Sequence, residues 1–142
     1  GAIGYLITRN ATVAGAEGGC QAEVGAASAM AASAAVELMG GTPEQCMSAA
    51  GTDITNILGL VCDPIAGLVE APCQKRNAMG ASNAIVAAQI TLAGVGNLLP
   101  LDEVIDVMYS VGRSIPFELR ETALGGVAGS PTGCRLSKQI FG

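Results

Sequence analysis

Read as a string of apolar and polar positions, the chain falls into helical stretches separated by breaks rich in Gly and Pro. Residues 21–39 carry Ala, Val, Ser, Met or Leu on nearly every face, with charge confined to Glu23 and Glu37 near the ends. A helix that is apolar all round is a buried one, and side chains this small let neighbours come close, so the pattern predicts a central helix. Gly40-Gly41 ends it by supplying backbone that tolerates positive φ. The clearest start signal follows: Thr42 as N-cap, Pro43 at the first helical position and Gln45 three residues after the cap. That helix should run to about Leu58.

From 59 to 72 the periodicity stops, and Asp63-Pro64, Gly67 and Pro72 predict irregular backbone. A long helix is expected from about Gln74 to Ala93. After a break at 94–100 comes an amphipathic one, with Leu101, Val104, Ile105 and Met108 at core spacing. Asp102, Glu103 and Asp106 lie early and Arg113 late, which complements the helix dipole and reads as a solvated first turn rather than a metal site. A Gly-rich stretch from Gly125 to Gly133 leads into a short terminal helix ending at Phe141. The opening residues, Gly1 to Ile7, look helical but uncapped, as if the chain started inside an element. Sustained β-branched alternation occurs nowhere, so the expected fold class is all-α: a compact multi-helix bundle around an Ala-rich buried helix, with irregular Gly/Pro segments carrying cysteines, all in one domain over 1–142.

Composition narrows the chemistry. There is no His and no Trp, and only 3% of residues are aromatic. Without imidazole the chain alone cannot hold a Ser-His-Asp or Cys-His arrangement, a Cys2His2 zinc site or a haem on a proximal His. Thiols, carboxylates, amines and backbone dipoles remain. Seven basic against twelve acidic residues exclude the basic footprint of a nucleic-acid binder. Charged residues make up 13%, about half the usual share, which implies that other protein covers much of the surface. The uncharged window 77–101 is long enough to pose the question of a membrane span. Asn77, Ser82, Asn83, Gln89, Thr91 and Asn97 interrupt it and Gly94 and Gly96 break it, so it reads as a buried helix outside any membrane. No leader pattern precedes it, and five irregularly spaced Cys do not make a disulfide framework. Reduced thiols in the cytoplasm are the expectation.

Three of those thiols stand in unusual places. Cys20 follows Gly15, Gly18 and Gly19 and opens the central helix, where the dipole favours a thiolate. Cys73 follows Pro72 at the start of the next long helix, with Lys75 and Arg76 within a turn, and Cys62 directly precedes Asp63-Pro64. Cys46, inside the Thr42 helix, reads as a small buried hydrophobe, and Cys134 as either inert or regulatory. The spacing C-x41-C-x10-C matches no common zinc ribbon or ferredoxin signature. Spacing alone therefore leaves both a shared metal site and separate structural thiols open. The stretch Gly15-Ala16-Glu17-Gly18-Gly19 lacks the Lys-Ser/Thr ending of a phosphate loop and a strand before it, which argues against nucleotide binding.

Taken together, Gly15-Ala16-Glu17-Gly18-Gly19-Cys20-Gln21-Ala22-Glu23-Val24-Gly25, Gly59-Leu60-Val61-Cys62-Asp63-Pro64 and Gly67-Leu68-Val69-Glu70-Ala71-Pro72-Cys73-Gln74-Lys75-Arg76-Asn77-Ala78 resemble the iron-sulfur-dependent L-serine dehydratases. The resemblance is to the C-terminal half of their catalytic α domain or α subunit, and extends to Arg9-Asn10-Ala11, the run from Gly40 to Gln45, the run from Pro100 to Ile105, and Leu119-Arg120-Glu121-Thr122. It implies a 4Fe-4S cluster held by Cys20, Cys62 and Cys73, with one iron left open as a Lewis acid on the β-hydroxyl of L-serine, which becomes pyruvate and ammonia without pyridoxal phosphate. The implied partners are the remainder of the α domain, a β subunit or domain, and further copies in a homo-oligomer, with no nucleic acid and no membrane. Glu17, Glu23, Glu70 and Lys75 are the groups of this chain open to the role of general base, which the missing half could equally supply. Glu17, Lys75, Arg76 and Asn77 are candidates for substrate or cluster-sulfur contacts, although surface charge and a helix cap would account for the last three. A related L-cysteine desulfidase, and a structural half with inert thiols, stand as alternatives. The piece alone is expected to be inactive.

Overall fold

Small side chains decide where the helices sit. The computed structural model describes residues 1–142 and contains seven helices: α1 (Ala2–Asn10), α2 (Gly15–Gly18), α3 (Cys20–Leu38), α4 (Pro43–Asn56), α5 (Cys73–Leu92), α6 (Leu101–Ser114) and α7 (Pro131–Phe141). Single 3-10 turns lie at Ile65–Gly67 and Phe117–Leu119. There is no strand, only one isolated bridge between Cys62 and Arg120. The all-α expectation holds.

The Ala-rich α3 is the hub, touching α1, α2, α4, α5 and α6. Its Ala29, Ala32 and Val36 are fully buried. The crossing with α5 is close because Gly80 faces Val24, where a Cβ would come within 2.7 Å of a Val24 methyl. Two apolar clusters result. One joins α1, α3, α4 and α6 through Ile3, Ile7, Ile54, Val104, Ile105 and Met108, and the other joins α3, α4 and α5 almost wholly through Ala.

The predicted boundaries follow from local chemistry. Gln45 N–H donates to Thr42 Oγ1 at 3.3 Å and Thr42 N–H to Gln45 Oε1 at 2.9 Å, so the capping box is complete. Gly40, with φ of 82°, turns the chain between α3 and α4. The helix α3 begins one residue earlier than expected, at Cys20, and α4 ends two residues earlier, at Asn56. The one α-helix absent from the sequence reading is α2, a four-residue turn. It forms because Gly112 of α6 lets Gly18 come in directly: a Cβ on Gly112 would meet Gly18 Cα at 2.8 Å.

One buried polar cluster interrupts the bundle. Asp53 of α4 is fully buried and accepts from Ser28 Oγ of α3 at 2.5 Å and from Asn83 Nδ2 of α5 at 2.7 Å. Asn56 in turn donates to Asn83 Oδ1. With no cation beside it, burial pushes the Asp53 carboxyl up to about 6, against the two hydrogen bonds that favour its charged form. On the outside, Met79, Ile85, Val86 and Ile90 of α5 stay exposed, consistent with a surface meant to be covered. No helix is long and apolar enough to cross a membrane.

Candidate functional site

The three unusual cysteines sit on three segments that hold one another. Cys20 is the first residue of α3, and its preceding Gly19 has φ of 75°. A side chain at Gly19 would strike Leu60 O, 2.8 Å from an added Cβ, so only glycine lets the start of α3 lie against the 59–62 loop. Gln21 N–H then donates to Leu60 O at 2.9 Å. Cys62 is pinned from the other side: its N–H donates to Leu119 O at 2.9 Å, and Glu121 N–H donates to Cys62 O at 2.6 Å. Cys73, half-buried, is the first residue of α5.

Arg76, one turn into α5, ties the last two segments together. Its Nη1 donates to Val61 O at 2.8 Å and to Asp63 Oδ1 at 2.6 Å. Asp63 is 2% exposed and has a second partner, Val127 N–H, at 2.7 Å from Oδ2. The thiols respond to this setting. Cys20 is lowered to about 7, chiefly because the neighbouring Cys62 thiol favours its thiolate, against the cost of burial and with help from Arg76. Cys62 is correspondingly pushed up, by Cys20 first and by burial second. Cys73 is raised by burial and then by the charge of Cys20, with Arg76 opposing. One thiolate, at Cys20, is therefore the favoured first ionisation of the group.

Two carboxylates border the thiols. From the Cα of Gly15 a Cβ would point to within 3.1 Å of Cys62 Sγ, 3.2 Å of Glu23 Oε2 and 3.5 Å of Glu121 Oε2. Gly15 thus leaves open a small space faced by one sulfur and two carboxylate oxygens. Glu121 itself has φ of 65°, and Ala66 and Ala123 nearby in sequence to these loops share that left-handed backbone. Strain of this kind in non-glycine residues costs energy that the surrounding hydrogen bonds must hold in place.

Of the residues singled out from sequence, the fold brings together Cys20, Cys62, Cys73, Arg76 and Glu23. Glu17 lies on α2 and accepts from Thr12 Oγ1 at 2.6 Å. Lys75, Glu70 and Asn77 are exposed, and Asn77 borders a groove of about 260 Å³ between α3 and α5 with Ser28 and Gly80. Cys46 is half-buried against the Ala cluster. Cys134 is exposed on α7, its Sγ 3.8 Å from Ala128 O. No three Cys, Asp or Glu side chains stand close enough to share a single metal ion. Sequence reasoning missed Asp63, Glu121 and Arg120, whose Nε is buried without a partner beside the Cys62 bridge. The signal for Asp63 was its place directly after a loop cysteine; its partner at Val127 is too distant in sequence to be read.

An α-helical domain with a cluster of free thiols and no imidazole is the class that fold and site define. The chain matches the family described as serine dehydratase alpha chain over residues 1–128, and it belongs to that family. It is 60% identical over all its 142 residues to the "Probable L-serine dehydratase, alpha chain" of Bacillus subtilis, covering 47% of that protein. It is also 60% identical over 139 residues to the "L-serine dehydratase, alpha chain" of Peptoniphilus asaccharolyticus, 98% of this chain and 48% of that one. With "L-serine dehydratase 1" of Escherichia coli it shares 47% identity over 129 residues, 90% of this chain and 28% of the relative. The chain thus spans about half the length of the α chains from B. subtilis and P. asaccharolyticus. Helix α7 lies beyond the residues matched by the family.

Proposed function

We infer that this chain is part of an L-serine dehydratase that converts L-serine to pyruvate and ammonia, with Cys20, Cys62 and Cys73 as ligands of an iron-sulfur cluster. The single observation that carries the reading is the convergence of thiols 42 and 53 residues apart from Cys20 on segments bonded to each other, in a chain of the serine dehydratase family.

The donor set fits such a cluster. Three free thiols, two of them at helix starts, on segments hydrogen-bonded to one another are the kind of donors that iron-sulfur clusters take. One of the three, Cys20, ionises near neutrality, the form that binds iron. Cys20, Cys62 and Cys73 would hold such a cluster by three thiolates, and an iron left without a protein ligand would supply a Lewis acid for the β-hydroxyl of the substrate.

The chain's own residues do the rest. Arg76 is committed to Val61 O and Asp63, so its charge holds loops and stabilises thiolate rather than reaching for a substrate carboxylate. Glu23 is the one of the four candidate bases that borders the thiols, with Glu121 on the same side of Gly15, and this proximity supports Glu23 as the carboxylate that takes the α-proton. Glu17 is engaged by Thr12. Grooves of about 260 to 470 Å³ on this chain are lined by residues other than Cys20, Cys62 and Cys73, and α5 presents exposed apolar residues. The exposed face of α5 and the chain's span of about half the α chains it matches support a substrate chamber completed by the remainder of the α chain, without which these 142 residues are inactive. The name "alpha chain" of those relatives supports a β chain or domain in the working enzyme.

The test is anaerobic reconstitution of the complete enzyme with iron and sulfide, followed by pyruvate release. Replacing Cys62 or Cys73 by Ser should lower both iron content and visible absorption; unchanged values in either variant would sink the ligand assignment. Turnover of L-serine no faster than that of L-cysteine would refute the substrate.

A further inference from the structure

The carboxylate of Asp63 belongs to none of the roles above, yet it is almost fully buried directly beside a thiol ligand candidate. Its two oxygens face two different segments. Oδ1 accepts from Arg76 Nη1 at 2.6 Å, which fixes the loop that carries Cys62 to the first turn of α5 and so to Cys73. Oδ2 accepts from Val127 N–H at 2.7 Å, which fixes the same loop to the stretch that follows Leu119 and Glu121. That stretch already brackets Cys62 with its two backbone hydrogen bonds. Gly126 completes the joint: with φ of 60°, any Cβ there would run into the Asp63 carboxylate, so the approach is open to glycine alone.

The geometry points to Asp63 as the positioning residue of the thiol group. By engaging Arg76 and Val127 together it sets where Cys62 stands relative to Cys73. A carboxylate is required because both neighbours donate. An Asn amide offers only one acceptor, and its NH2 would confront either a guanidinium or a backbone N–H. The Arg76 side is charge-assisted and partly buried, the setting in which such a bond is strongest. Asp63 touches neither substrate nor cofactor in this role. Its effect on a cluster would pass through the cysteines, and to that extent the inference rests on the function proposed above.

The experiment compares the complete enzyme with its Asp63→Asn and Arg76→Lys variants in two states. In the metal-free state, differential alkylation reads the rates at Cys62 and Cys73 while circular dichroism follows thermal unfolding. Asp63→Asn should raise the Cys62 rate about tenfold, the ratio that an opening easier by one charge-assisted hydrogen bond produces, with helix content kept. In the iron-loaded state the same variant should lose its visible absorption faster in air than the wild type. A Cys62 rate and cluster lifetime equal to wild type in a folded Asp63→Asn enzyme would overturn the proposal. Should that variant not fold, Arg76→Lys decides from the other end of the pair, since it keeps the charge but replaces the rigid planar guanidinium whose Nη1 bridges Val61 O and Asp63 Oδ1 by a flexible ammonium: faster Cys62 alkylation supports the role and an unchanged rate refutes it. If the wild type takes up no iron at all, the cluster reading fails while the alkylation arm still decides for or against Asp63.

Discussion

The helical bundle and the layer of loops that carries the thiols are held by different means. In the bundle, Ala32, Ala49 and Ala87 are fully buried in one cluster, and stabilisation is spread thinly over many non-directional contacts. In the loop layer, a few hydrogen bonds join residues far apart in sequence: Cys62 to 119–121, Asp63 to Val127, Gln21 to Leu60. All three non-glycine residues with positive φ, Ala66, Glu121 and Ala123, also fall outside the long helices, in or beside this layer. The bundle should therefore fail gradually and as a whole, whereas the loops should fail locally and at single atoms.

The largest expected effect tests the bundle. Ile54 is fully buried among α1, α3 and α6, and Ile54→Ala should lower the stability of the chain by about 2–5 kcal/mol, read by chemical denaturation. If the comparison is right, thiol alkylation below the transition is unchanged by it. Next, Gly126→Ala should cost about 2–4 kcal/mol, from left-handed backbone together with the collision at Asp63, and should expose Cys62 before global unfolding. Its counterpart Gly40→Ala, at φ of 82° but with open space around it, should cost only about 1–2 kcal/mol and leave Cys62 protected. Equal effects from the two glycines would break the distinction.

A smaller effect sharpens it from the polar side. Asp53 titrates at about 6 in the folded chain against 3.8 for the ordinary side chain, so the folded state holds its proton more tightly. Its contribution is then fully present below about pH 4 and is lost as pH rises through 6, by up to about 3 kcal/mol. Asp53→Asn should flatten that part of the stability profile; a slope that survives the substitution assigns it elsewhere. The smallest effect is at the start of α4, where Thr42→Ala removes the cap and should cost about 1 kcal/mol in denaturant midpoint without touching the thiols.

The same division explains what could be read from sequence. The capping box at Thr42, the stop at Gly40 and the amphipathic face of α6 are each written within a few residues, so pattern alone located them. The three thiol contexts were visible as Gly and Pro beside Cys, but what fixes them was not. Nothing near Asp63 announces Val127, 64 residues on, and nothing in Gly15–Gly18 announces a helix that depends on Gly112. Arg76 stood in the sequence as a candidate for substrate or cluster-sulfur contacts because it lies beside Cys73, whereas its partners come from the preceding loop.

Gln21, the residue after Cys20, spans both regions. Fully buried, it donates from Nε2 to Met108 O at 2.8 Å in α6 and accepts at Oε1 from Gly59 N–H at 2.9 Å in the loop before Cys62. Both of its partners are main-chain atoms, present whatever side chain those positions carry. The joint between scaffold and thiols therefore runs through a single amide at 21, while Gly59, at φ of 86°, and Met108, buried in the core, are held to their residue types by backbone and packing rather than by this joint. Anyone grafting these cysteine loops onto a different helical frame would have to transplant Gln21 with them, together with a helix that offers a main-chain carbonyl at the place of 108 and a glycine at the place of 112.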